Sequence, residues 1–237
     1  MKTFVMIPTY NEKENIANLI NEILKLKIKN FHIVVVDDNS PDKTWEIVEE
    51  LSKKNRNVHL LLRKTKKGRG YAGKDGFIYC LKNKADIIIE MDADFSHDPK
   101  YIPLMLKEIK NCDIVLGSRS IKGAKEIGRS SIRMAVTKMA NLYIRVMLNI
   151  KARDCNSGFR CFKRKILEKI AYNLKSKGPA IVQEVLFLSH LKKAKIKEKP
   201  IIFINRKKGT SKLRIKQLAL GYWMVLKLKI KHLLGFL

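Results

Sequence analysis

The segment Ile87–Pro103, with the sequence IIIEMDADFSHDPKYIP, joins a buried apolar run to a cluster of polar residues. Its isoleucines are β-branched and too few for a helix, so they predict a buried strand. Asp92 and Asp94 follow, and Pro99 is typical of a helix start. In open α/β sheets, ligands bind outside the carboxyl ends of strands, where two carboxylates offer hard oxygen ligands to Mg²⁺ or Mn²⁺. The segment therefore indicates an α/β fold with either a metal-assisted diphosphate site or an acidic turn that caps the next helix.

The composition fits a folded protein that meets anionic partners. The chain has 237 residues, of which 46% are hydrophobic, enough for a full α/β core. Lysine and arginine number 50 against 22 acidic residues, so nucleic acid, an anionic membrane surface and phosphorylated substrates are all candidate partners. The four cysteines form no CxxC pair, which predicts neither a zinc site nor a disulfide framework. No apolar run approaches the roughly 18 residues of a membrane span, so we expect a soluble or peripheral protein.

Polar loops follow successive predicted strands. Lys2–Ile7 and Phe31–Val36 predict strands, and helical spacing between them predicts a strand–helix–strand crossover. The first strand leads into Pro8–Glu12 and the second into Asp37–Asp42. Because such crossovers connect parallel strands, we expect both loops and Asp92–Asp94 to open on one edge of the sheet. A turn or a helix cap explains each loop singly, but not their repetition.

A glycine-rich segment follows the third predicted strand, Val58–Leu62. Gly68–Gly73 reads G-x-G-x-x-G, which matches a dinucleotide-binding fingerprint. The match is weak, because that fingerprint needs a tight turn directly after the first strand and Lys64–Lys67 intervenes here. The alternative is that the glycine amides bind a phosphate at the start of a helix.

The second half of the chain predicts further elements of the same domain, residues 1–212. Arg119 closes a predicted strand and places a cation at the same sheet edge as the carboxylates. Poor periodicity over Ser120–Ile132 predicts a surface loop, and Asp154–Arg160 is a polar loop. Strands are predicted at Asp113–Leu116 and Lys199–Ile204, and helices at Tyr101–Ile109, Arg133–Leu148, Lys163–Ala171 and Ile181–Lys193.

Several segments resemble, in the same order, those of the dolichyl-phosphate mannosyltransferases. They are PTYNE at Pro8–Glu12, DDNSPD at Asp37–Asp42, DADFSHDP at Asp92–Pro99, GSR at Gly117–Arg119, SGFR at Ser157–Arg160, and Arg206 with GTSK at Gly209–Lys212. The resemblance covers roughly Thr3 to Leu213, and the segments are specific as an ordered set. It implies a GT-A nucleotide-diphospho-sugar transferase fold, with a mostly parallel central sheet and flanking helices. It also implies transfer of mannose from GDP-mannose to dolichyl or polyprenyl phosphate with inversion.

The resemblance also implies roles for donor-site residues. The nucleotide sugar would lie against Pro8, Tyr10, Glu12, Asp38, Asp92, Ala93, Asp94, Arg206 and Lys212. Asp94 would hold Mg²⁺ or Mn²⁺, and Ser96 stands where some members carry a glutamine ligand. Glu184 falls where relatives carry an acid, with no role assigned.

Two arginines complete the implied catalytic set of Asp92, Asp94, Arg119 and Arg133. Arg119 and Arg133 match positions that meet the acceptor phosphate, although a surface salt bridge or a solvated charge is the alternative for each. A phosphate monoester is already an oxyanion near neutral pH, so it needs positioning and charge compensation rather than a strong base. The metal and nearby cations would stabilise the leaving nucleoside diphosphate.

Other functions fit parts of the sequence. A UDP-glucose-dependent polyprenyl-phosphate glucosyltransferase, or a transferase with a non-lipid acceptor, would show similar motifs. The net charge of +28 also suggests a nucleic-acid-binding protein. However, the basic residues are spread along the chain, and nucleic acid does not explain the Asp92–Asp94 loop, so no specific nucleic-acid partner is expected.

The remaining segment, residues 213–237, is predicted to form an amphipathic helix. It mixes apolar residues with cations, a composition that suits a membrane interface with anionic head groups. Because a polyprenyl tail stays in lipid, we expect a cytoplasmic protein bound peripherally to the cytoplasmic face of a membrane, with or without a membrane subunit. The alternative is a terminal helix packed on the body of the protein. The apolar residues are Leu213, Leu220, Trp223, Leu226, Ile230, Leu233 and Leu234, and the cations are Arg214, Lys216, Lys227, Lys229 and Lys231.

Overall fold

A seven-stranded, mostly parallel sheet organises the protein. The computed structural model describes residues 1–205 and 215–236, and of residues 215–220 it describes the backbone alone. The strands are β1 (Thr3–Thr9), β2 (Phe31–Asp37), β3 (Val58–Leu62), β4 (Ile87–Glu90), β5 (Ile114–Ser118), β6 (Lys125–Ile127), β7 (Arg160–Lys163), β8 (Ile196–Pro200) and β9 (Ile202–Ile204). The α-helices are α1 (Ile16–Lys25), α2 (Thr44–Lys54), α3 (Arg69–Lys82), α4 (Ile102–Glu108), α5 (Ser131–Leu148), α6 (Arg164–Ile170), α7 (Ile181–Leu191) and α8 (Ile215–Leu233).

The strand order places the predicted polar loops together. The main sheet runs β3-β2-β1-β4-β7-β5-β8, and every neighbouring pair is parallel except the two that involve β7. The loops after β1, β2, β4 and β5 therefore open on one edge. This confirms the predicted α/β class and the predicted convergence of the loops.

The core lies on both faces of the sheet. In β1, Phe4 and Met6 point to the face covered by α3 and α7, whereas Val5 and Ile7 point to the face covered by α1 and α4. All four side chains are fully buried. Burial on both faces is the reason that β1, β2 and β4 are nearly continuous apolar runs rather than alternating ones.

The sequence prediction missed β7. It placed Arg160 at the end of a polar loop and began a helix near Lys163, whereas Arg160–Lys163 is a strand and α6 begins at Arg164. This strand lies antiparallel between β4 and β5, with Cys161 paired to both Ile89 and Val115. A four-residue strand with a charge at each end carries little local signal, and its partners are remote in the chain.

A second, two-stranded sheet also departs from the prediction. The segment Ser120–Ile132 was expected to be a surface loop, but it contains β6, which pairs in parallel with β9. The strand predicted over Lys199–Ile204 is divided between the two sheets. β8 ends at Pro200, and the Ile201 N–H donates to the Ser118 carbonyl (3.1 Å) before β9 begins. Proline ends the ladder because it has no N–H to donate.

The helix α8 confirms that the last part of the chain is helical. It packs against α5 and α7, and its residues Val225 and Leu228 are buried in the core. The Tyr143 hydroxyl of α5 donates to the Tyr222 carbonyl (3.2 Å). Among the helices described, none is both long enough and apolar enough to span a bilayer.

Candidate active site

The loops after β1 and β2 are joined by Asp37. Its carboxylate is buried and accepts hydrogen bonds from the Thr9 hydroxyl (2.7 Å), the Ser40 N–H (2.8 Å) and the Ser40 hydroxyl (2.7 Å). The Asn11 N–H in turn donates to Ser40 Oγ (3.1 Å). Because each bond crosses between loops or closes a turn, the two loops form one fixed wall of the site.

The Asp38 carboxylate also makes its contacts within the protein. The side chain is buried, and the carboxylate pairs with the Arg63 guanidinium and accepts the Gly68 N–H (2.6 Å). Arg63 additionally contacts the Asp75 carboxylate (2.8 Å) and the Lys66 carbonyl (2.9 Å). Asp38 therefore links β2 to the segment after β3. Its direct contact with a nucleoside stays a prediction.

Three predicted nucleoside-site residues lie at the end of β1. Pro8 is buried within the strand, Glu12 is half-buried, and Tyr10 is 41% exposed at the sheet edge. The Glu12 N–H donates to Thr44 Oγ1 at the start of α2 (3.0 Å). The structure thus brings Pro8, Tyr10 and Glu12 to the same edge as Asp38.

The Asp92–Asp94 loop differs, because its carboxylates reach solvent. The Asp92 side chain is 42% exposed and Asp94 is half-buried, whereas Ala93 between them is buried. The Ser96 N–H donates to Asp94 Oδ1 (3.1 Å), which orients that carboxylate. The helical turn that follows is capped by Asp98, whose carboxylate accepts the Lys100 N–H (2.9 Å). Capping of the next helix is therefore the work of Asp98, not of Asp92 or Asp94.

His97 is a buried residue that contacts the backbone of this loop, and it was not identified from the sequence. Its ring is buried, stacks on Phe159 (5.2 Å between centroids) and accepts the Asp92 N–H at Nδ1 (3.2 Å). Burial lowers the pKa of His97, against the opposing effect of Asp92 and Asp94. A neutral ring with a bare Nδ1 is the form that can accept this hydrogen bond.

The donor atoms of the loop fit a hard divalent cation. Asp92 and Asp94 supply carboxylate oxygens, and no group of three or more His, Cys, Asp or Glu side chains suited to a metal occurs in the part of the chain described. This small set matches Mg²⁺ or Mn²⁺, which commonly keep positions for water and substrate phosphates. Ser96 is buried and serves Asp94 through its N–H. A ligand role for the Ser96 hydroxyl stays a prediction.

Arg119 lies at the end of β5 and is held by an acid that sequence analysis did not select. The buried Asp154 carboxylate accepts the Arg119 N–H (2.9 Å), Nε (2.8 Å) and Nη2 (2.8 Å). Burial by itself would raise the pKa of Asp154, but its hydrogen bonds and ion pair with Arg119 lower it. The guanidinium also packs on the Phe203 ring (5.1 Å). Arg119 is thus a fixed cation rather than a solvated surface charge.

Arg129, also absent from the sequence prediction, shares the Phe203 ring with Arg119 (5.8 Å). It pairs with Glu126 and donates to the Thr137 hydroxyl of α5 (3.0 Å). Arg133 is exposed in the first turn of α5, and its N–H donates to the N-cap Ser130 (3.4 Å). The predicted positions Arg206 and Lys212 lie outside the described residues.

The glycine-rich segment is a packing device. The Gly68 N–H donates to Asp38, and the Gly70 N–H donates to the Lys177 carbonyl (3.0 Å). A Cβ on Gly70 would stand 2.0 Å from the Ser176 carbonyl oxygen. The dinucleotide and phosphate interpretations are therefore wrong for these two amides, because both are already occupied.

Glu184 supports the chain segment that packs on these glycines. Its buried carboxylate accepts the Lys175 N–H (2.9 Å) and the Ser176 N–H (2.8 Å). Two backbone amides satisfy a buried carboxylate well. The structure therefore gives Glu184 a structural contact, a role that its place in the sequence did not reveal.

The site thus consists of a loop with two partly exposed carboxylates and an arginine fixed by Asp154, both at one edge of an open sheet. Residues 4–171 match the family model described as Glycosyl transferase family 2, so the chain belongs to that family and is a glycosyltransferase. The chain is 33% identical over 214 residues to the undecaprenyl-phosphate mannosyltransferase of Micrococcus luteus, covering 90% of this chain and 88% of that protein. It is 34% identical over 215 residues to the polyprenol monophosphomannose synthase of Mycolicibacterium smegmatis, covering 90% and 81%.

A third relative is longer than this chain. The dolichol-phosphate mannosyltransferase of Pyrococcus furiosus is 39% identical over 219 residues, which cover 90% of this chain but 60% of that protein. Among solved structures, glucosyl-3-phosphoglycerate synthase from Mycobacterium tuberculosis, in complex with Mn²⁺, uridine diphosphate and phosphoglyceric acid, superposes with a TM-score of 0.68. The match covers 98% of this chain and 78% of that one at 16% identity, so it shows a shared fold.

Proposed function

We propose that the protein transfers mannose from GDP-mannose to a dolichyl or polyprenyl phosphate, with inversion at the sugar carbon. The relatives named above, which are mannosyltransferases of polyprenyl or dolichyl phosphates, support this substrate class. The observation that carries the proposal is that the Asp92–Asp94 carboxylates and the cation Arg119, which Asp154 fixes, lie at the same edge of the sheet. The carboxylates would bind the cation of a donor diphosphate, and Arg119 would bind an acceptor phosphate.

The donor would lie over the loops after β1, β2 and β4. Tyr10 and Glu12 would line the nucleoside pocket, with Asp38 as part of its fixed wall. Arg206 and Lys212 remain proposed contacts of the donor diphosphate. Asp94 would hold Mg²⁺ or Mn²⁺, and the cation would supply charge stabilisation for the leaving nucleoside diphosphate.

The acceptor phosphate would lie near Arg119, with Arg133 at the start of α5. Asp154 fixes the Arg119 guanidinium through two hydrogen bonds and the Arg119 backbone N–H through a third, so little side-chain freedom is lost when a phosphate binds. The acceptor is an oxyanion near neutral pH and attacks without a strong base. Because the acceptor phosphate is itself the nucleophile, this chemistry requires aligned cations rather than a protein nucleophile with its base.

Radiolabelled sugar nucleotides and a polyprenyl phosphate, followed by organic extraction, test this function. We expect label in the lipid phase with GDP-mannose and a divalent cation, and none after chelation. Label from UDP-glucose instead would favour the polyprenyl-phosphate glucosyltransferase. Absence of lipid-phase label with every donor would contradict the proposal.

We further propose that α5 and α8 form the contact with a membrane surface. The exposed apolar residues of α5 recur at helical spacing and so share one face. Each is at least 58% exposed: Ile132, Met139, Leu142 and Val146. On α8 and just beyond it, Trp223, Ile230, Leu233, Leu234 and Phe236 are each at least 44% exposed. Lys138 and Lys227 add exposed cations, as interfacial helices do.

The location of this surface fits a lipid acceptor. Ile132, 77% exposed, directly precedes Arg133, so the apolar face of α5 begins beside a proposed phosphate contact. A polyprenyl tail could then stay in lipid while its phosphate meets the site. The buried residues Val225 and Leu228 pack α8 on the protein body, and its exposed apolar residues are the ones proposed to meet the membrane.

Co-sedimentation with anionic and neutral vesicles tests the contact. Two double variants remove apolar area that would enter the membrane interface, namely Leu142→Gln with Val146→Gln and Trp223→Gln with Leu233→Gln. Each should weaken vesicle binding at least about tenfold. Tyr172→Gln is the matched control, since Tyr172 is 58% exposed and lies outside α5 and α8. Unchanged vesicle binding by both folded double variants would contradict the contact.

A further inference from the structure

The strand β4 ends in a buried charge, Glu90, among isoleucines. Its carboxylate is fully buried and accepts hydrogen bonds from Arg160 Nε (2.9 Å) and from Arg69 Nη2 (2.7 Å). Burial alone would raise the pKa of Glu90, but the charges of Arg160 and Arg69 lower it below its ordinary value. A buried carboxylate with two guanidinium partners stays ionised.

The two arginines around Glu90 are used to different extents. Arg160 is 1% exposed, pairs with Glu90 and donates Nη1 to the Val182 carbonyl (2.9 Å), so it is satisfied within the core. The Arg69 side chain is 21% exposed, and its Nη1 has no hydrogen-bond partner among the described residues. Arg69 is therefore the partly exposed arginine of this cluster, although its unpaired Nη1 is itself buried close to Gly73.

The Arg69 guanidinium lies next to the Asp92 carboxylate of the Asp92–Asp94 loop. Its Nη2 lies 3.7 Å from Asp92 Oδ1, while Gly158 and His97 bound Asp92 on its Oδ2 side. Arg69 opens α3, directly after Gly68, and Gly70 holds this turn against the Lys177 carbonyl. The guanidinium is thus fixed at its base by Glu90 and directed toward a partly exposed carboxylate of the site.

We propose that Arg69 is a further donor-site residue, which contacts the diphosphate of a nucleoside diphosphate sugar beside Asp92. This inference rests on the proposed function, because it takes the donor diphosphate to bind at the Asp92–Asp94 loop. When the glycosyl bond breaks, the nucleoside diphosphate keeps the bonding electron pair and gains negative charge. A guanidinium that Glu90 already holds beside Asp92 can stabilise that charge with little reorganisation.

Glu90 is the positioning residue in this arrangement. Arg160 alone would satisfy one Glu90 oxygen, and the other oxygen, Oε1, is the one that orients Arg69. Loss of the Arg69 guanidinium therefore leaves Glu90 paired with Arg160, which permits a test without an unpaired buried charge.

Calorimetric measurement of GDP binding in the presence of Mn²⁺ tests the role of Arg69 without turnover. We expect Arg69→Met to raise the GDP dissociation constant about tenfold, since it removes a charge-assisted hydrogen bond, and to lower kcat about 100-fold. Arg164→Met is the matched control, because Arg164 is a partly buried arginine of α6 bonded to the Leu81 and Ala85 carbonyls and to Glu168. That control should bind GDP as the wild type does.

The outcomes separate the two proposals. Wild-type GDP affinity and kcat in folded Arg69→Met would overturn the role of Arg69, whereas failure of the wild-type protein to bind GDP or UDP with Mn²⁺ would overturn the donor assignment itself. Arg69→Lys provides a second test if Arg69→Met does not fold, because lysine restores the charge but not the planar fork. Unchanged kcat and GDP affinity in Arg69→Lys would then overturn the proposal.

Discussion

Two acidic loops lie on either side of β1, after β2 and after β4, yet they use their carboxylates in opposite ways. Asp37 and Asp38 are buried, and each carboxylate is held by hydrogen bonds or by Arg63. Asp92 is 42% exposed and Asp94 is half-buried. The first pair therefore holds loops together, whereas the second is partly exposed and is the pair proposed to meet a ligand. Adjacent carboxylates at a sheet edge are thus distinguished by what already bonds to them, not by their spacing in the chain.

The largest effect in this comparison is expected from Asp94→Asn. Loss of the charged ligand should lower transfer about 1000-fold, because the cation that stabilises the leaving group is no longer held. The free energy of unfolding should change by less than about 0.5 kcal/mol, since the side chain is not in the core. Assays over a Mn²⁺ titration, with thermal unfolding in parallel, measure both. Asp98→Asn is the control, and full activity in Asp94→Asn would remove the proposed metal role.

The reverse pattern is expected for Asp38→Ala. This change leaves the buried Arg63 guanidinium without its buried carboxylate partner. The free energy of unfolding should therefore fall by about 3 kcal/mol. Asp75→Ala removes the other acid of Arg63, but its side chain is 48% exposed, so the loss should stay below about 1 kcal/mol. Denaturant unfolding measures both. Equal stabilities of the two variants would contradict the division between holding and binding carboxylates.

Gly70→Ala tests the segment that supports the Asp38 side of the site. A Cβ there meets the Ser176 carbonyl at 2.0 Å, so we expect a loss of about 2 kcal/mol in the free energy of unfolding. Gly178→Ala is the matched control, because a Cβ at Gly178 meets nothing within 4 Å. Chemical denaturation compares the two variants. If Gly70→Ala were as stable as the wild type, segment 174–178 would be able to move away from the added Cβ without loss of stability.

The smallest expected effect is a loss of stability at acid pH that arises from two histidines outside both loops. This loss must be measured separately before pH is used to compare the two loops. His32 Nδ1 and His59 Nε2 lie 3.2 Å apart on β2 and β3, and burial lowers the pKa of both rings. Their neutral forms are favoured by folding, so stability is complete above the unfolded pKa of about 6.5 and declines as the pH falls below it. The decline should stay below about 1 kcal/mol because both rings are partly exposed.

Thermal unfolding between pH 8 and pH 5 measures this decline. The double change His32→Val with His59→Leu should remove the part of the decline that these two rings cause and leave the part caused by His97, whose pKa is also lowered by burial. An unchanged pH profile in the double variant would assign the whole decline to other groups.

Much of the fold could be predicted because its signals are local. The apolar runs of β1, β2, β3 and β4 and the helical spacing of α1 lie within single segments of chain. Parallel crossovers then required the loops after β1, β2 and β4 to meet at one edge. The sequence motifs also selected Asp92, Asp94 and Arg119, which do lie at that edge.

The missed residues are those whose meaning depends on a distant partner. Glu90 stands out as a charge in an apolar strand, a signal that could have been used, but its partner Arg160 is on a strand that the sequence did not reveal. Asp154 looks like one more loop acid until its carboxylate meets Arg119. Glu184 likewise acquires its role only when it accepts the Lys175 and Ser176 amides.

By itself, the sequence determined that this is an α/β protein with polar loops at successive strand ends, and its ordered motifs determined the family. Only the tertiary structure decided that Asp37 and Asp38 are buried and hold the loops together whereas Asp92 and Asp94 are partly exposed, and that the Arg69 guanidinium lies beside Asp92. The physical reason is that hydrophobic periodicity is written within a segment, whereas the burial and pairing of a charge depend on residues brought together from remote parts of the chain.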